Sequence, residues 1–261
     1  MADKERAYFN LGISKNQDQT QKNYFSMFPE EVLASVLDAF VINKPMEGKV
    51  GGDGFWVYQS GDDLFVALFD CMGHGHLASI MTRVYTQLLQ KVIEEDGIRD
   101  PGTILRYLHH KIDARFKEKE NLQIGPAADI ALVKISMGIR KIEYAGAKVD
   151  LIQIENGEFK EIKANRFQVG NHFDHDHNYD TISVELKDKS ICNFYMSSDG
   201  FKDLMGGDGG KKLGKRGIQK ILRESHGMPM TKQKDFILEE AKKWQGSNMA
   251  LDDMLIIGFA V

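Results

Sequence analysis

The chain has 261 residues, 42% of them hydrophobic and 28% charged, with a formal net charge of −4 at pH 7. That is an ordinary globular composition, with none of the basic excess of a nucleic-acid-binding protein and no apolar run near the roughly eighteen residues of a membrane span. The N-terminus, MADKERAYFN, lacks the apolar core of a secretory signal, and the two cysteines, Cys71 and Cys192, lie in or beside apolar runs and read as buried reduced thiols; the expected setting is the cytoplasm, without nucleic acid and without membrane insertion.

Residues 1–28 read as a polar arm rich in Gln, Asn and Lys. FPEEVLASVLDAFVI follows, with Pro29 near a helix start, acids in the first turn and apolar residues at helical spacing; this predicts a helix over about 29–42. KPMEGKVGGDG is a turn region, and FWVYQ and LFVALF are two strands joined by the hairpin turn SGDD. After a glycine-rich turn, LASIMTRVYTQLLQKVIEE and PGTILRYLHHKIDARFKEK are predicted as two long helices. A β meander comes next: DIALVKIS, KIEYAGA, VDLIQI, FKEIKA, TISVEL and ICNFYMSSD, with Asn156-Gly157 among the turns. Two more helices are predicted around 214–224 and 231–244, and MLIIGFAV closes the chain as a strand apolar enough to be central. Strands in meanders and helices in pairs give an α+β fold, with helices layered on antiparallel sheets, in a single domain over 29–261.

Four aspartates sit where an apolar β run meets a turn. Asp53, in VGGDGF, starts one strand; Asp70, in FDCMGHG, ends the next; Asp199, in FYMSSDGF, ends another; Asp252, in ALDDML, precedes the last. Alone, an Asp-Gly pair after a strand is ordinarily just a turn. As a set, four converging carboxylates would repel one another and take up protons unless a cation lay between them. Hard divalent cations such as Mg²⁺ and Mn²⁺ accept a few carboxylates, backbone carbonyls and waters. The neighbouring glycines let the backbone turn sharply, so that a carbonyl such as that of Cys71 can join the set.

The order GGD, D-x-M-G-H-G, S-D-G and D-D-M, with apolar strands before the middle two and after the last, resembles the SpoIIE-like bacterial branch of the metal-dependent protein phosphatases, relatives of protein phosphatase 2C. The resemblance runs from about Phe28 to Val261. It implies an α-β-β-α sandwich of two antiparallel sheets flanked by helix pairs, with two divalent cations, Mn²⁺ or Mg²⁺, at one edge. Asp70 would bridge both ions, Asp53 and the Cys71 carbonyl would help hold one, and Asp199 and Asp252 the other, with Asp253 as the alternative to Asp252. The implied reaction is hydrolysis of a phosphoserine or phosphothreonine on a protein, and the implied substrate is a phosphorylated anti-sigma-factor antagonist of the STAS type, in partner switching. The helix expected over 29–42 resembles an element that links sensing or dimerisation to the metal site, so the candidate self-association is a homodimer through it; plain core packing is its other reading. The chain can equally be a catalytic fragment of a larger sensor.

Other features keep two readings. His74 is a candidate general acid, shifted from the Asp-Gly-His spacing of protein phosphatase 2C, or a residue that fixes the turn; His76 is a weaker candidate. HFDHDHNYD, residues 172–180, has the composition of a metal cluster but reads as a solvated loop. GGDGGKKLGKR, residues 206–216, is a mobile surface loop or a substrate-contacting flap. A regulatory pseudophosphatase, binding a phosphoprotein without cleaving it, is the alternative function; a binding module has no need of all four acidic motifs. A diguanylate cyclase would need an acid after GGD, where this chain has Gly54.

Overall fold

The computed structural model describes residues 30–46, 51–73, 75–116, 126–171, 177–184, 186 and 191–261; the N-terminal arm lies outside them. In chain order the elements are α1 (Glu30–Val36), β1 (Asp38–Lys44), β2 (Asp53–Ser60), β3 (Asp63–Cys71), α2 (Gly75–Glu94), α3 (Pro101–Phe116), β4 (Ala128–Ser136), β5 (Lys141–Ala147), β6 (Leu151–Glu155) and β7 (Glu158–Ile162). They continue with β8 (Ile182–Val184), β9 (Cys192–Ser197), α4 (Asp199–Lys202), β10 (Met205–Gly206), β11 (Lys211–Lys212), α5 (Gly214–Ser225), α6 (Met230–Gln245) and β12 (Met254–Ala260). Sheet one has the order β2-β3-β4-β5-β8 and sheet two β1-β12-β9-β6-β7, and their pairings are antiparallel.

Three cores show how the layers stack. Val57, Val66, Leu68 and Val133 of sheet one meet Phe194, Ile257 and Phe259 of sheet two in the middle core. Phe65, Ala67 and Phe69, the alternate residues of β3, face Met81, Tyr85 and Leu108 of α2 and α3. Phe40, Tyr195 and Ile256 of sheet two face Ile218, Leu222 and Ile237 of α5 and α6. This is the expected α-β-β-α sandwich. A fully buried side chain of this size stabilises the fold by roughly 1.5–3 kcal/mol, so the all-apolar centres of β3 and β12 explain why those strands sit inside their sheets.

Local signals set the boundaries. Asp100 caps α3, its Oδ1 accepting the Thr103 N–H at 2.8 Å, with Pro101 as the first helical residue. Asn156 (φ 50°) and Gly157 (φ 79°) both adopt the left-handed conformation that a two-residue hairpin turn requires.

The helix expected over 29–42 requires correction. It is helical only over Glu30–Val36, and Asp38–Lys44 is β1. Leu33, Leu37, Phe40 and Val41 satisfy helical spacing, but Phe40 and Ile42 face α5–α6 while Val41 faces the middle core, a period of two. Pairing decides: all seven residues of β1 match β12, from Asp38↔Ala260 to Lys44↔Met254, and cover an apolar strand that needs a neighbour on that side.

Candidate metal centre

One end of the sandwich gathers the acids. On sheet one, Asp53 lies directly opposite Asp70, and Asp70 directly opposite Asp129. Directly paired residues share a face, and two residues further along each strand Phe55, Leu68 and Ala131 belong to the middle core. The three aspartates therefore continue the inner face of sheet one to its edge. Sheet two answers with Ser198 and Asp253, in step with Met196 and Leu255 of the same core. Asp199 begins α4, and its backbone N–H donates to Asp70 Oδ2 at 3.4 Å.

Asp53 is only 2% exposed. The Ser198 hydroxyl donates to its Oδ2 at 2.5 Å and accepts the Leu255 N–H at 2.9 Å, so one serine spans both sheets at the site. Asp253, also buried, accepts the Met46 N–H on Oδ1 at 2.7 Å and the Gly52 N–H on Oδ2 at 2.6 Å. Its carboxylate clamps the chain entering β2. Asp252 is exposed at the mouth of the site and accepts the Asp253 N–H at 2.9 Å. The two adjacent acids thus take different work: an inward backbone clamp and an outward carboxylate.

The turn after β3 is packed tightly against β2. A Cβ on Gly52 would come within 2.6 Å of the Cys71 carbonyl oxygen, so only glycine lets that carbonyl approach the residue before Asp53. The Cys71 thiol points away into the α2 side of sheet one, where Thr82 contacts it at 3.5 Å. Burial pushes its pKa far up, which makes it an inert thiol.

Burial is the first cause of raised carboxyl pKa values here, and mutual repulsion the next. Asp70 is pushed up to about 7 by burial and then by Asp199 and Asp129. Asp53 is raised by burial and by Asp70, against the lowering effect of the Ser198 hydrogen bond. Burial also raises Asp129, opposed by the Gln168 amide at 2.7 Å and by Lys148 at 4.0 Å. A divalent cation would reverse that balance by favouring the ionised forms.

The donor set fits a hard cation. It is made of carboxylate oxygens with a backbone carbonyl close by, and it is open on the Asp199 and Asp252 side. Among the described residues no three His, Cys, Asp or Glu side chains close around one point, so an ion held here would take much of its shell from backbone oxygen and water. Mg²⁺ or Mn²⁺ suits such a set, because these ions take one or two carboxylates each and fill the rest of the shell with water.

Asp129 and Ser198 were not singled out by sequence reasoning. Asp129 carried the same signal as the others, an acid where an apolar strand starts, but no glycine marks it. Ser198 stood beside Asp199 in the S-D-G motif. His74 lies outside the described residues, as does the side chain of His76. Of the histidine-rich segment, residues 172–176 also lie outside them; His177 stacks on Phe167 at 3.7 Å, and the Tyr179 hydroxyl donates to the Gln168 carbonyl at 3.0 Å. The glycine-rich segment after α4 forms a short hairpin, β10–β11, whose base is held by Trp244: its Nε1–H donates to the Leu204 carbonyl at 3.0 Å, and its carbonyl accepts the Gly207 N–H at 2.9 Å.

Comparison with known proteins matches the fold. The family model for Stage II sporulation protein E (SpoIIE) matches residues 60–261. The SiaA-PP2C domain of Pseudomonas aeruginosa superposes with a TM-score of 0.82 at 28% identity, covering 94% of this chain and 95% of that one. The PP2C phosphatase domain of SpoIIE from Bacillus subtilis, with a fragment of its regulatory domain, gives a TM-score of 0.67 at 15% identity over 85% of this chain and 62% of that one. RsbX in complex with magnesium gives 0.57 at 19% identity over 85% and 94%. A search of curated protein sequences finds no match. No helix among the described residues is long and apolar enough to cross a membrane.

Proposed function

The chain belongs to the SpoIIE family of PP2C-type serine/threonine phosphatases, and on that premise we propose that it hydrolyses a phosphoserine or phosphothreonine on a regulatory protein with the help of two divalent cations, Mn²⁺ or Mg²⁺. The observation that carries this reading is the row Asp53, Asp70, Asp129 on three adjacent strands, facing the open end of the sandwich. Asp53 is buried and Asp70 and Asp129 are half-buried; a cation among them would favour their ionised forms at neutral pH, and magnesium in RsbX supports that class of ion.

Asp70, between its two neighbours, would serve both ions. Asp53 and the Cys71 carbonyl would hold one ion and Asp199 and Asp252 the other, with Asp129 as an additional carboxylate beside Asp70. When bound, such a pair of ions supplies Lewis acidity, lowering the pKa of a water and offsetting the charge of the phosphate oxygens. Ser198 keeps one Asp53 oxygen occupied and so fixes the direction of the other. Asp253 stays with the backbone amides of Met46 and Gly52 and sets the position of the β2 entry. With the Cys71 thiol buried and protonated, the chain offers no thiolate there, in keeping with direct attack by water. The proposed substrate is a STAS-type anti-sigma-factor antagonist met in the cytoplasm; membership of the SpoIIE family is what suggests it.

The test is phosphate release from an aryl phosphate and from a phosphoserine protein, with Mn²⁺ or with chelator, in the native chain and in Asp70→Ala and Asp199→Ala. Metal-dependent release in the native chain, lost in both variants, is the expected result. Phosphoprotein binding without release in any metal would replace this reading with a binding module.

A further inference from the structure

A groove of about 470 Å³ opens directly from the acidic row, with Asp70, Asp129 and Asp199 forming its inner end. From there it runs over the edge of sheet two toward α5. Away from the acidic row its charged lining is Lys148, Lys163, Lys202 and Lys215 against Asp150 and Glu161. Those two acids are already engaged: Asp150 accepts from Lys163 at 2.7 Å and from the Ala164 N–H at 2.9 Å, and Glu161 takes Lys163 at 2.8 Å together with Lys215. With Lys148 set against Asp129, Lys163, Lys202 and Lys215 against Asp150 and Glu161 leave this part of the groove with one net positive charge. Its apolar lining comes from Ile152, Phe159 and Ile218, and the Arg223 guanidinium, 5.2 Å above the Phe159 ring, steadies that side chain.

Lys148 bears on the purpose of the groove. It adopts a left-handed backbone conformation (φ 63°) that is uncommon for a non-glycine residue. Its N–H is nevertheless pinned to the Asn165 carbonyl at 2.8 Å, and its ammonium is held 4.0 Å from Asp129, where the groove meets the site.

Resting on the phosphatase reading above, we propose that this groove docks the polypeptide around the phosphorylated residue, selecting an acidic segment with one apolar side chain about five residues from the phosphoserine. The spacing follows from the sheet. Ser197 ends β9, and β7, which carries Phe159, lies two strands away. Register sets Phe159 in line with Ile154 and Asn193, four residues along β9 from Ser197, so the span is about 16 Å, which an extended peptide covers in about five residues. The phosphate enters at the acidic row with its cations, the lysines attract the acidic flank, and Phe159, Ile152 and Ile218 receive the apolar side chain.

Two fluorescent peptides carrying the non-hydrolysable phosphonate analogue of phosphoserine test this by anisotropy in Mn²⁺: one with glutamates around the analogue and leucine five residues away, the other with lysines and alanine in those places. The expected preference for the first is about tenfold, weakening with salt. The surface double variant Lys163→Glu/Lys215→Glu removes the charge preference, and Phe159→Ala removes the leucine's share. Equal affinity for both peptides in the native chain, or a preference that survives in both variants, overturns the proposal. Aryl phosphate hydrolysis in the same samples separates the two levels. Metal-dependent hydrolysis without peptide preference overturns the groove alone. Peptide preference without hydrolysis leaves the groove standing and removes the phosphatase reading.

Discussion

The Ser198 hydroxyl donates a 2.5 Å hydrogen bond to Asp53, joining the end of β9 in one sheet to the start of β2 in the other. It lowers the Asp53 pKa against burial and the repulsion of Asp70. Ser198→Ala is therefore expected to weaken cation binding at neutral pH and move the pH profile of phosphate release toward higher pH, as Asp53 becomes harder to ionise. The Leu255 N–H loses its acceptor as well, a cost of about 1–3 kcal/mol in denaturant titrations. Ser198→Thr, which keeps the hydroxyl, should restore most of the profile; a purely structural role would shift stability and leave the profile in place.

The raised carboxyls fix the sign of the pH dependence without metal. Asp70 binds its proton up to about pH 7 when folded, whereas in the unfolded chain it ionises in the ordinary carboxylate range. Between those values the folded state holds the extra proton, so stability falls as pH rises from about 4 through 7. Asp53 and Asp129 act in the same direction. Chelator-treated protein should melt at higher temperature at pH 5.5 than at pH 8, and Mn²⁺ should restore stability at pH 8. Asp70→Asn removes the central charge and should raise the metal-free melting temperature at pH 8 while abolishing activity.

Asp253 and Asp252 should separate cleanly. Asp253→Asn replaces one acceptor oxygen by an amide facing a backbone N–H, and is expected to cost about 1–3 kcal/mol of stability, read by thermal melting. Asp252→Asn, at an exposed position, should leave the melting temperature of the metal-free protein within a few degrees and lower cation affinity, read by calorimetric titration.

Cys71→Ser should keep metal-dependent phosphate release, and thiol alkylating reagents should leave the folded protein active, because the thiol is 2% exposed and held protonated. Gly52→Ala at the same turn should do the reverse. Its Cβ would press on the Cys71 carbonyl at 2.6 Å, costing about 1–3 kcal/mol and most of the activity.

Much of the fold was legible because its signals are local. Asp100-Pro101 announces α3, Asn156-Gly157 the β6–β7 hairpin, and the apolar runs of β3 and β12 their central places. β1 was not legible, since Leu33, Leu37, Phe40 and Val41 keep helical spacing and only the β12 partner decides. At the site, Asp53, Asp70 and Asp199 come together as their positions at strand ends suggested. Asp129 and Ser198 belong there through register and through a contact across 145 positions of sequence. The contrast between Asp252 and Asp253 turns on one residue of strand phase, which fixes the side chain that looks inward.

The most direct measurement follows phosphate release from a phosphoserine protein while Mn²⁺ is titrated into chelator-treated enzyme, with the native chain beside Asp70→Asn. The native chain should show no release in chelator and a saturable rise with Mn²⁺, and Asp70→Asn should lose roughly a hundredfold or more at saturation. Release that persists in chelator, or an Asp70→Asn enzyme as active as the native one, would contradict the account.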